Sequence, residues 1–287
     1  AEIPRKRQTL LFSATYNDAV REISRQFQRD ALDVSVTATL SIEEVGQLFF
    51  EVSETQKLDT LSSLLVQHRP ESALVFCNTR HAVRELATRL AERGHSVLAL
   101  HGELEQRERE EVLLRFANRS CALLVATDVA ARGLDIKDMP VVINYDMATT
   151  ADVHLHRIGR TGRAGGKGLA WTLCRHDERH RTLAIEELQG TPLNWETPAP
   201  ASSASKPLTA GMVTLIIDGG RQDKMRPGDL LGALTGDAGL TAESIGKIDI
   251  YATRAYVAIN RRSADQALRV LSAGKIKGRR FRVRRLS

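Results

Sequence analysis

Short, continuous apolar runs alternate with amphipathic stretches through the first two thirds of the chain, and this alternation restricts the possible folds more than any other feature. The runs are ALVFC (73–77), SVLAL (96–100), ALLVAT (122–127) and VVINY (141–145). Apolar residues between them recur at helical spacing, as in RHAVRELATRLAERG (80–94). Because strands buried on both faces form continuous apolar runs, the pattern predicts an α/β domain whose parallel sheet is covered by helices.

Polar residues follow each apolar run. They are NTR (78–80), HGE (101–103), Asp128 and Asp146. Open parallel sheets bind ligands beyond the carboxyl ends of their strands, so we expect these side chains to share one edge of the sheet. The stretch HRIGRTGR (156–163) follows shortly after and places arginines three residues apart with glycines between them. Interior glycines weaken a helix but let a guanidinium group approach an anion closely, so the stretch is compatible with a phosphate ligand and equally with a solvated basic turn.

The C-terminal part of the chain differs in both pattern and charge. Residues 191–210 are rich in Pro, Ala and Ser, which is typical of a linker. Residues 211–287 have apolar runs in the order β-α-β-β-α-β and contain 15 Lys and Arg against seven Asp and Glu. This order predicts a small α+β domain similar to an RNA recognition motif, and its charge is that of a nucleic-acid-binding module.

Several function classes are disfavoured by the sequence. No apolar run approaches the roughly 20 residues that span a bilayer, and the N-terminus has no signal-peptide core, so we expect no membrane segment and a chain that starts within a domain. Cys77, Cys121 and Cys174 lie in apolar contexts, which predicts buried thiols and a cytoplasmic location. HDERH (176–180) has two histidines at zinc-site spacing but favours a polar helix start, so we expect no metal site there.

Five motifs occur in an order that carries a family resemblance. They are SAT (13–15), LVFCNT (74–79), HGELEQRER (101–109), ATDVAARGLD (126–135) and HRIGRTGR (156–163). The chain resembles the DEAD-box RNA helicases from SAT onwards. This resemblance implies the end of a first RecA-like helicase domain at 1–36, a second, parallel-sheet RecA-like domain at 37–190, a linker at 191–210 and an RRM-like RNA-binding domain at 211–287.

The resemblance also implies roles for individual residues. Arg160 and Arg163 would be the arginine fingers that stabilise charge on the phosphates of ATP. Gly133 and Asp135 would hold the nucleotide with them. Thr79, Gly102, Arg109 and Thr127 would bind the RNA backbone, while Ser13 and Thr15 would couple hydrolysis to domain closure.

The basic module has a weak RRM signature. Its central strand keeps Tyr256, but Arg254 stands where a second stacking ring is usual. Both residues are expected to contact RNA. The terminal stretch KIKGRRFRVRR (275–285) is expected to form a strand that contacts phosphates through Lys275, Lys277, Arg280, Arg282 and Arg284. The module resembles the C-terminal domain of the bacterial DbpA-type helicases, which implies a structured hairpin of large-subunit ribosomal RNA in a pre-ribosomal particle as its target.

No P-loop and no Asp-Glu-Ala-Asp box occur among the 287 residues. The groups that cradle phosphates and hold Mg²⁺ are therefore absent from this sequence, and ATP with Mg²⁺ would be bound mainly by the first domain. The favoured function is an ATP-dependent RNA helicase of large ribosomal subunit assembly. A DNA helicase or translocase and a non-enzymatic RNA-binding protein or fragment are the two alternatives.

Overall fold

The computed structural model describes residues 4, 7–13, 18–34, 45–132, 136, 138–162, 168–198 and 206–286. The chain divides into two compact units, Ala1–Leu40 and Ser41–Ser287. In the first unit, helix α1 (Asp18–Phe27) places Ser24 in a buried position and leaves Phe27 exposed. Thr15 lies outside the described residues, whereas Ser13 is described and exposed.

The second unit contains a large α/β domain. Its elements in chain order are β1 (Val45–Glu51), α2 (Lys57–His68), β2 (Ala73–Cys77), α3 (Arg80–Glu92), β3 (Val97–Leu100), α4 (Gln106–Ala117), β4 (Leu123–Thr127), α5 (Asp128–Ala131), β5 (Val141–Asn144), α6 (Ala151–Ile158), β6 (Gly168–Cys174), α7 (His180–Gln189) and β7 (Trp195–Glu196). Among the described residues, seven strands form one parallel sheet in the order β3-β4-β2-β5-β6-β1-β7.

The core of this domain lies on both faces of the sheet. On one face, Val75 and Cys77 of β2 pack with Leu61 of α2 and Leu86 of α3. On the other face, Leu74 and Phe76 of the same strand pack with Phe116 of α4 and Ala130 of α5. Alternate residues of β2 are therefore buried in opposite directions, which explains its continuous apolar run. The predicted doubly covered parallel sheet is confirmed.

The smaller C-terminal module follows. Its elements are β8 (Met212–Ile217), α8 (Pro227–Gly232), β9 (Ile245–Ile250), β10 (Ala255–Asn260), α9 (Ala264–Ala273) and β11 (Val283–Arg285). These strands pair antiparallel in the order β11-β8-β10-β9, and Leu215, Ile217 and Val257 pack under the helices. The predicted α+β class and element order are confirmed. The last strand is shorter than expected, because Ile276 and Arg279 pair across a turn in which Lys277 and Gly278 both have positive φ.

The opposite face of the module's sheet is also buried. Ile216, Tyr256 and Leu286 form a cluster there, and Leu114 of α4 packs against it. Next to this cluster the hydroxyl of Thr214 lies 2.6 Å from that of Ser120 and accepts a 3.3 Å hydrogen bond from Asn118 Nδ2. The module's sheet face is therefore an interface with the α/β domain.

Both ends of the predicted linker are packed. Trp195 belongs to β7, and Leu208 is 5 % exposed within the core of the α/β domain. The Leu208 carbonyl accepts a 2.8 Å hydrogen bond from Ser96 N, and the Leu208 N–H donates to His95 Nδ1 at 3.1 Å. Both residues lie in the stretch that was predicted to be a linker because it is rich in Pro and Ser, and that composition gave no indication that they are packed. Within the described part of the chain, no helix combines the length and apolar character needed to cross a membrane.

Candidate functional site

Polar groups gather at the carboxyl edge of the parallel sheet, as the sequence predicts. Asn78 follows β2, Thr127 ends β4 and Asp146 follows β5. Asp146 Oδ2 accepts a 2.9 Å hydrogen bond from Asn78 N, while Asp146 Oδ1 lies 2.9 Å from Lys57 Nζ. The Lys57 side chain is only 3 % exposed. The edge is therefore a connected polar network.

Arg157 of α6 is the centre of this network. Its side chain is 1 % exposed and donates to five acceptors, which join three strand ends to the helix. These acceptors are Asp128 Oδ1 at 2.7 Å, Asp128 Oδ2 at 2.8 Å, Asn78 Oδ1 at 2.7 Å, the Asp146 carbonyl at 2.7 Å and Asn144 Oδ1 at 3.3 Å. A bidentate guanidinium–carboxylate pair has a fixed geometry, so the network sets the position of α6 against the strand ends.

The two predicted arginine fingers, Arg160 and Arg163, come shortly after Arg157 in the sequence. Helix α6 ends at Ile158, and Arg160, two residues later, is half-buried with its carbonyl accepting a hydrogen bond from Met139 N at 3.0 Å. Arg163, Gly133 and Asp135 lie outside the described residues. This contact places the Arg160 backbone just before the amino end of β5, whereas the Arg157 side chain lies at the carboxyl edge of the sheet. No group of three or more potential metal ligands occurs among the described residues.

The residues predicted to bind the RNA backbone are spread along the same edge. Thr79 and Thr127 cap α3 and α5, their hydroxyls accepting from Ala82 N at 3.1 Å and Ala130 N at 3.3 Å. The first backbone N–H groups of a helix have no acceptor within the helix, so a helix N-terminus such as that of α3 favours anions. Arg109 Nη2 donates to the Ala130 carbonyl at 2.6 Å.

Gly102 is exposed in the turn after β3, and a Cβ atom built on it would meet nothing within 4 Å. The surrounding protein therefore does not require glycine at this position. Its predicted contact with RNA remains a prediction that depends on the approach of the ligand.

The charge of this edge comes from arginine, lysine and carboxylate groups. Burial lowers the pKa of the neighbouring His154 to about 4, so this side chain is neutral at neutral pH. Burial also raises the pKa of the Cys77 thiol well above its usual range, and the Asp146 carboxylate adds to this effect. The predicted burial of Cys77, Cys121 and Cys174 is confirmed.

In the C-terminal module, the two central predicted RNA contacts differ in accessibility. Tyr256 is 8 % exposed beneath the interface with α4, and the Tyr251 ring packs against its edge at 5.6 Å. A base cannot stack on a ring that is covered in this way. Arg254 is half-buried at the turn between β9 and β10. Tyr251 is 50 % exposed at this turn and was not predicted as a site residue. Its position directly after a strand was the only indication in the sequence.

The basic stretch 275–285 is mostly exposed but only partly a strand. Lys275, Lys277, Arg280 and Arg282 are exposed, and Arg284 is half-buried. Lys277 Nζ donates to the Lys224 carbonyl at 2.9 Å, and it lies 3.7 Å from Asp229. The stretch therefore forms a cationic surface beside the loop that precedes α8.

Comparison with protein families divides the chain in the same way as the fold. Residues 56–165 match the helicase conserved C-terminal domain. Residues 214–285 match the DbpA RNA binding domain. The two matches fall on the α/β domain and on the C-terminal module, respectively.

Individual relatives extend this similarity. The chain is 49 % identical over 283 residues to the ATP-dependent RNA helicase DbpA of Escherichia coli, covering 99 % of this chain but 62 % of that protein. It is 31 % identical to the C-terminal domain of the DEAD-box protein Dbp5, covering 54 % of this chain and 92 % of that one with a TM-score of 0.51. Saccharomyces cerevisiae Dbp5 bound to RNA and ADP BeF3 gives a TM-score of 0.60 at 31 % identity, over 68 % of this chain and 53 % of that one.

Proposed function

Since the chain belongs to the DEAD-box helicase family and joins its C-terminal helicase domain to a DbpA RNA-binding domain, we propose that it acts in an ATP-dependent RNA helicase of large ribosomal subunit assembly. The observation that carries this proposal is the buried Arg157 network, which ties α6 to the sheet edge where the predicted RNA contacts lie. Arg160 follows this helix, and its carbonyl accepts a hydrogen bond from Met139 N, just before the amino end of β5. The chain spans 62 % of the E. coli relative, so the activity of a whole helicase is part of the proposal.

ATP, when bound, supplies the terminal phosphoanhydride bond whose hydrolysis drives the helicase cycle. In the proposal, Arg160 and Arg163 bring guanidinium groups to its phosphates, and Gly133 and Asp135 hold its ribose side. A P-loop and an Asp-Glu-Ala-Asp box, which these 287 residues do not contain, hold the Mg²⁺ ion and orient the attacking water. Ser13 and Thr15 transmit domain closure.

The same edge would bind the backbone of the RNA through Thr79, Gly102, Arg109 and Thr127. Because α6 is tied to Asn78 and Asp128, a shift of the nucleotide-facing arginines would be transmitted to Asn78, which precedes Thr79, and to Asp128, which follows Thr127. Nucleotide and RNA sites would thus share one rigid support, which is what coupling of hydrolysis to RNA strain requires.

The C-terminal module would anchor the enzyme on a structured hairpin of large-subunit ribosomal RNA in a pre-ribosomal particle. Its sheet face is covered by α4, so we place the RNA on the exposed cationic surface formed by Lys275, Lys277, Arg280 and Arg282, with Arg284 and Arg254 at its margin. Tyr256, which α4 covers, would take no direct part in this contact.

Replacing Arg280, Arg282 and Arg284 together by Gln tests this surface. We expect the module to stay folded, because Val283 and Phe281, rather than these arginines, pack with its core. Affinity for the hairpin RNA should fall, and its salt slope should flatten by about 0.7 to 0.9 for each lost phosphate contact. Fluorescence anisotropy at several salt concentrations measures both.

The matched control replaces Arg25, Arg89 and Arg107, each of which forms an exposed ion pair within a helix, by Gln. The change in net charge is the same, and we expect the salt slope to change little. Unchanged affinity and slope in the first variant would assign the recognition of RNA to another surface of the module.

The enzymatic proposal is tested by adding and removing the phosphate-binding half. Residues 1–287 alone should show no RNA-stimulated ATP hydrolysis, because no P-loop is present. Joined behind a P-loop and Asp-Glu-Ala-Asp domain, the same residues should hydrolyse ATP when hairpin RNA is added, and DNA of the same sequence should stimulate far less. Equal stimulation by DNA would favour a translocase, and turnover by residues 1–287 alone would contradict the proposed division of the active site.

A further inference from the structure

A single carboxylate bridges two arginines beside the predicted RNA path. Glu103, in the turn between β3 and α4, lies with Oε1 3.0 Å from Arg80 Nη1 and with Oε2 2.7 Å from Arg84 Nη1. The two arginines lie one helical turn apart at the start of α3, so their side chains project from the same face. Each carboxylate oxygen is thus paired with a different guanidinium group. Two oxygens of a phosphate could form the same pair of contacts.

The position of this bridge relates it to RNA rather than to the core. Arg80 directly follows Thr79, and Glu103 directly follows Gly102, the two predicted contacts with the RNA backbone at the ends of β2 and β3. The three bridging side chains are 59 %, 54 % and 40 % exposed for Arg80, Arg84 and Glu103, respectively. A phosphate that reaches Thr79 and Gly102 therefore arrives where Arg80 and Arg84 are already engaged.

The strength of the bridge allows RNA to displace it. Exposed ion pairs contribute little to stability, because water screens them and ordering two long side chains is unfavourable. The buried pair of Arg157 and Asp128 is different, since removal of either partner leaves an unpaired charge. A phosphate can compete with the Glu103 carboxylate for the two guanidinium groups, and the displaced carboxylate, still nearby, repels it.

We propose that Glu103 is an internal competitor of RNA phosphates, which engages Arg80 and Arg84 when RNA is absent and limits how tightly the helicase domain holds a single strand. The inference rests on the proposed function, because it requires RNA to follow the edge past Thr79 and Gly102. It assigns to Arg80 and Arg84 a contact with the RNA backbone, and to Glu103 a contribution to RNA release.

The test is Glu103→Gln in the complete chain, with a fluorescein-labelled twelve-nucleotide oligouridylate as the probe. Loss of the competing charge should tighten binding about three- to tenfold at low salt, the equivalent of one or two exposed ion pairs. One or two additional phosphate contacts should steepen the salt slope by about 0.7 to 1.4. Dissociation of the probe, followed by stopped-flow fluorescence, should slow to a similar extent.

Glu85→Gln is the matched control. Glu85 lies on α3 as well, is 53 % exposed and pairs with Arg89 at 3.4 Å, so this variant makes the same change in net charge away from the strand ends. It should bind the probe like the wild type. Glu103→Asp, which keeps the charge, should bind no more tightly than the wild type.

If the Glu103→Gln variant binds the probe no more tightly than the Glu85→Gln variant, the inference is wrong. Binding of the hairpin RNA through the C-terminal module, measured on the same samples, distinguishes this result from failure of the proposed function. If hairpin RNA binds normally, only the role of Glu103 is lost. If neither RNA binds to any variant, the proposed RNA-binding function fails as well.

Discussion

Arg163→Ala in a helicase that also carries the P-loop and Asp-Glu-Ala-Asp domain should lower ATP turnover about 10³- to 10⁵-fold, the range found for arginine fingers in phosphoryl transfer. The resemblance places this guanidinium on the transferred phosphate, where charge grows in the transition state. Affinity for the hairpin RNA should barely change, because the module that binds it is a separate sheet. Steady-state ATP hydrolysis at saturating RNA and anisotropy titration measure the two effects.

The triple variant of Arg280, Arg282 and Arg284 provides the opposite pattern as a control. It should bind hairpin RNA weakly but hydrolyse ATP at a near-normal rate once RNA is saturating. If Arg163→Ala reduced RNA affinity as strongly as turnover, the residue would be structural or would face the RNA. The two variants together therefore separate the nucleotide site from the RNA anchor.

The central strands of the α/β domain could be predicted because they are buried on both faces. β2, β4 and β5 are continuous apolar runs, so local sequence alone reveals them. β1 and β6 were overlooked because β1 carries Gly46 and Gln47 and β6 begins with Gly168. Their pairing joins residues more than 120 positions apart, as in Val45 and Gly168, and no local pattern encodes it.

The surface of the C-terminal module could not be predicted from its own sequence. Alternation along β8 and β10 places Thr214, Ile216 and Tyr256 opposite the helices, on the face that RNA recognition motifs commonly expose. Only contacts from Leu114, Asn118 and Ser120, which lie about 100 residues earlier, show that this face is covered. Tyr256 was predicted to contact RNA because its own sequence neighbourhood contains no indication of these long-range contacts.

Among the arginines of HRIGRTGR, spacing gave no reason to distinguish Arg157 from Arg160. Burial distinguishes them, because Arg157 is 1 % exposed and fully engaged at the strand ends, whereas Arg160 is half-buried and lies beside Met139, just before β5. The motif was predicted to reach the sheet edge, and the Arg157 side chain lies there. That Arg157 ties α6 to the strand ends could not be predicted from the spacing. The signal available was the preceding amphipathic stretch, in which Arg157 falls on the same face as His154 and Ile158, both buried.

Arg157→Ala should destabilise the α/β domain by about 3 to 5 kcal/mol, the cost typical of removing one partner of a buried pair. The reason is that Asp128 keeps its charge and Asn78 and Asn144 lose a donor, while little water can enter to replace the guanidinium group. Both tryptophans of the chain, Trp171 and Trp195, belong to this domain, so urea unfolding followed by tryptophan fluorescence reports its stability without a signal from the module.

Arg89→Ala is the control, since Arg89 forms an exposed pair with Glu85 and should cost less than about 1 kcal/mol. Arg157→Lys should fall between the two, because a single ammonium group keeps the charge but cannot reach acceptors on three strand ends at once. Asp128→Ala combined with Arg157→Ala should cost less than the sum of the single changes, because the unpaired carboxylate is then absent. If Arg157→Ala unfolded at the same urea concentration as Arg89→Ala, the network would contribute nothing to stability, and the rigid support proposed for the nucleotide and RNA sites would have no physical basis.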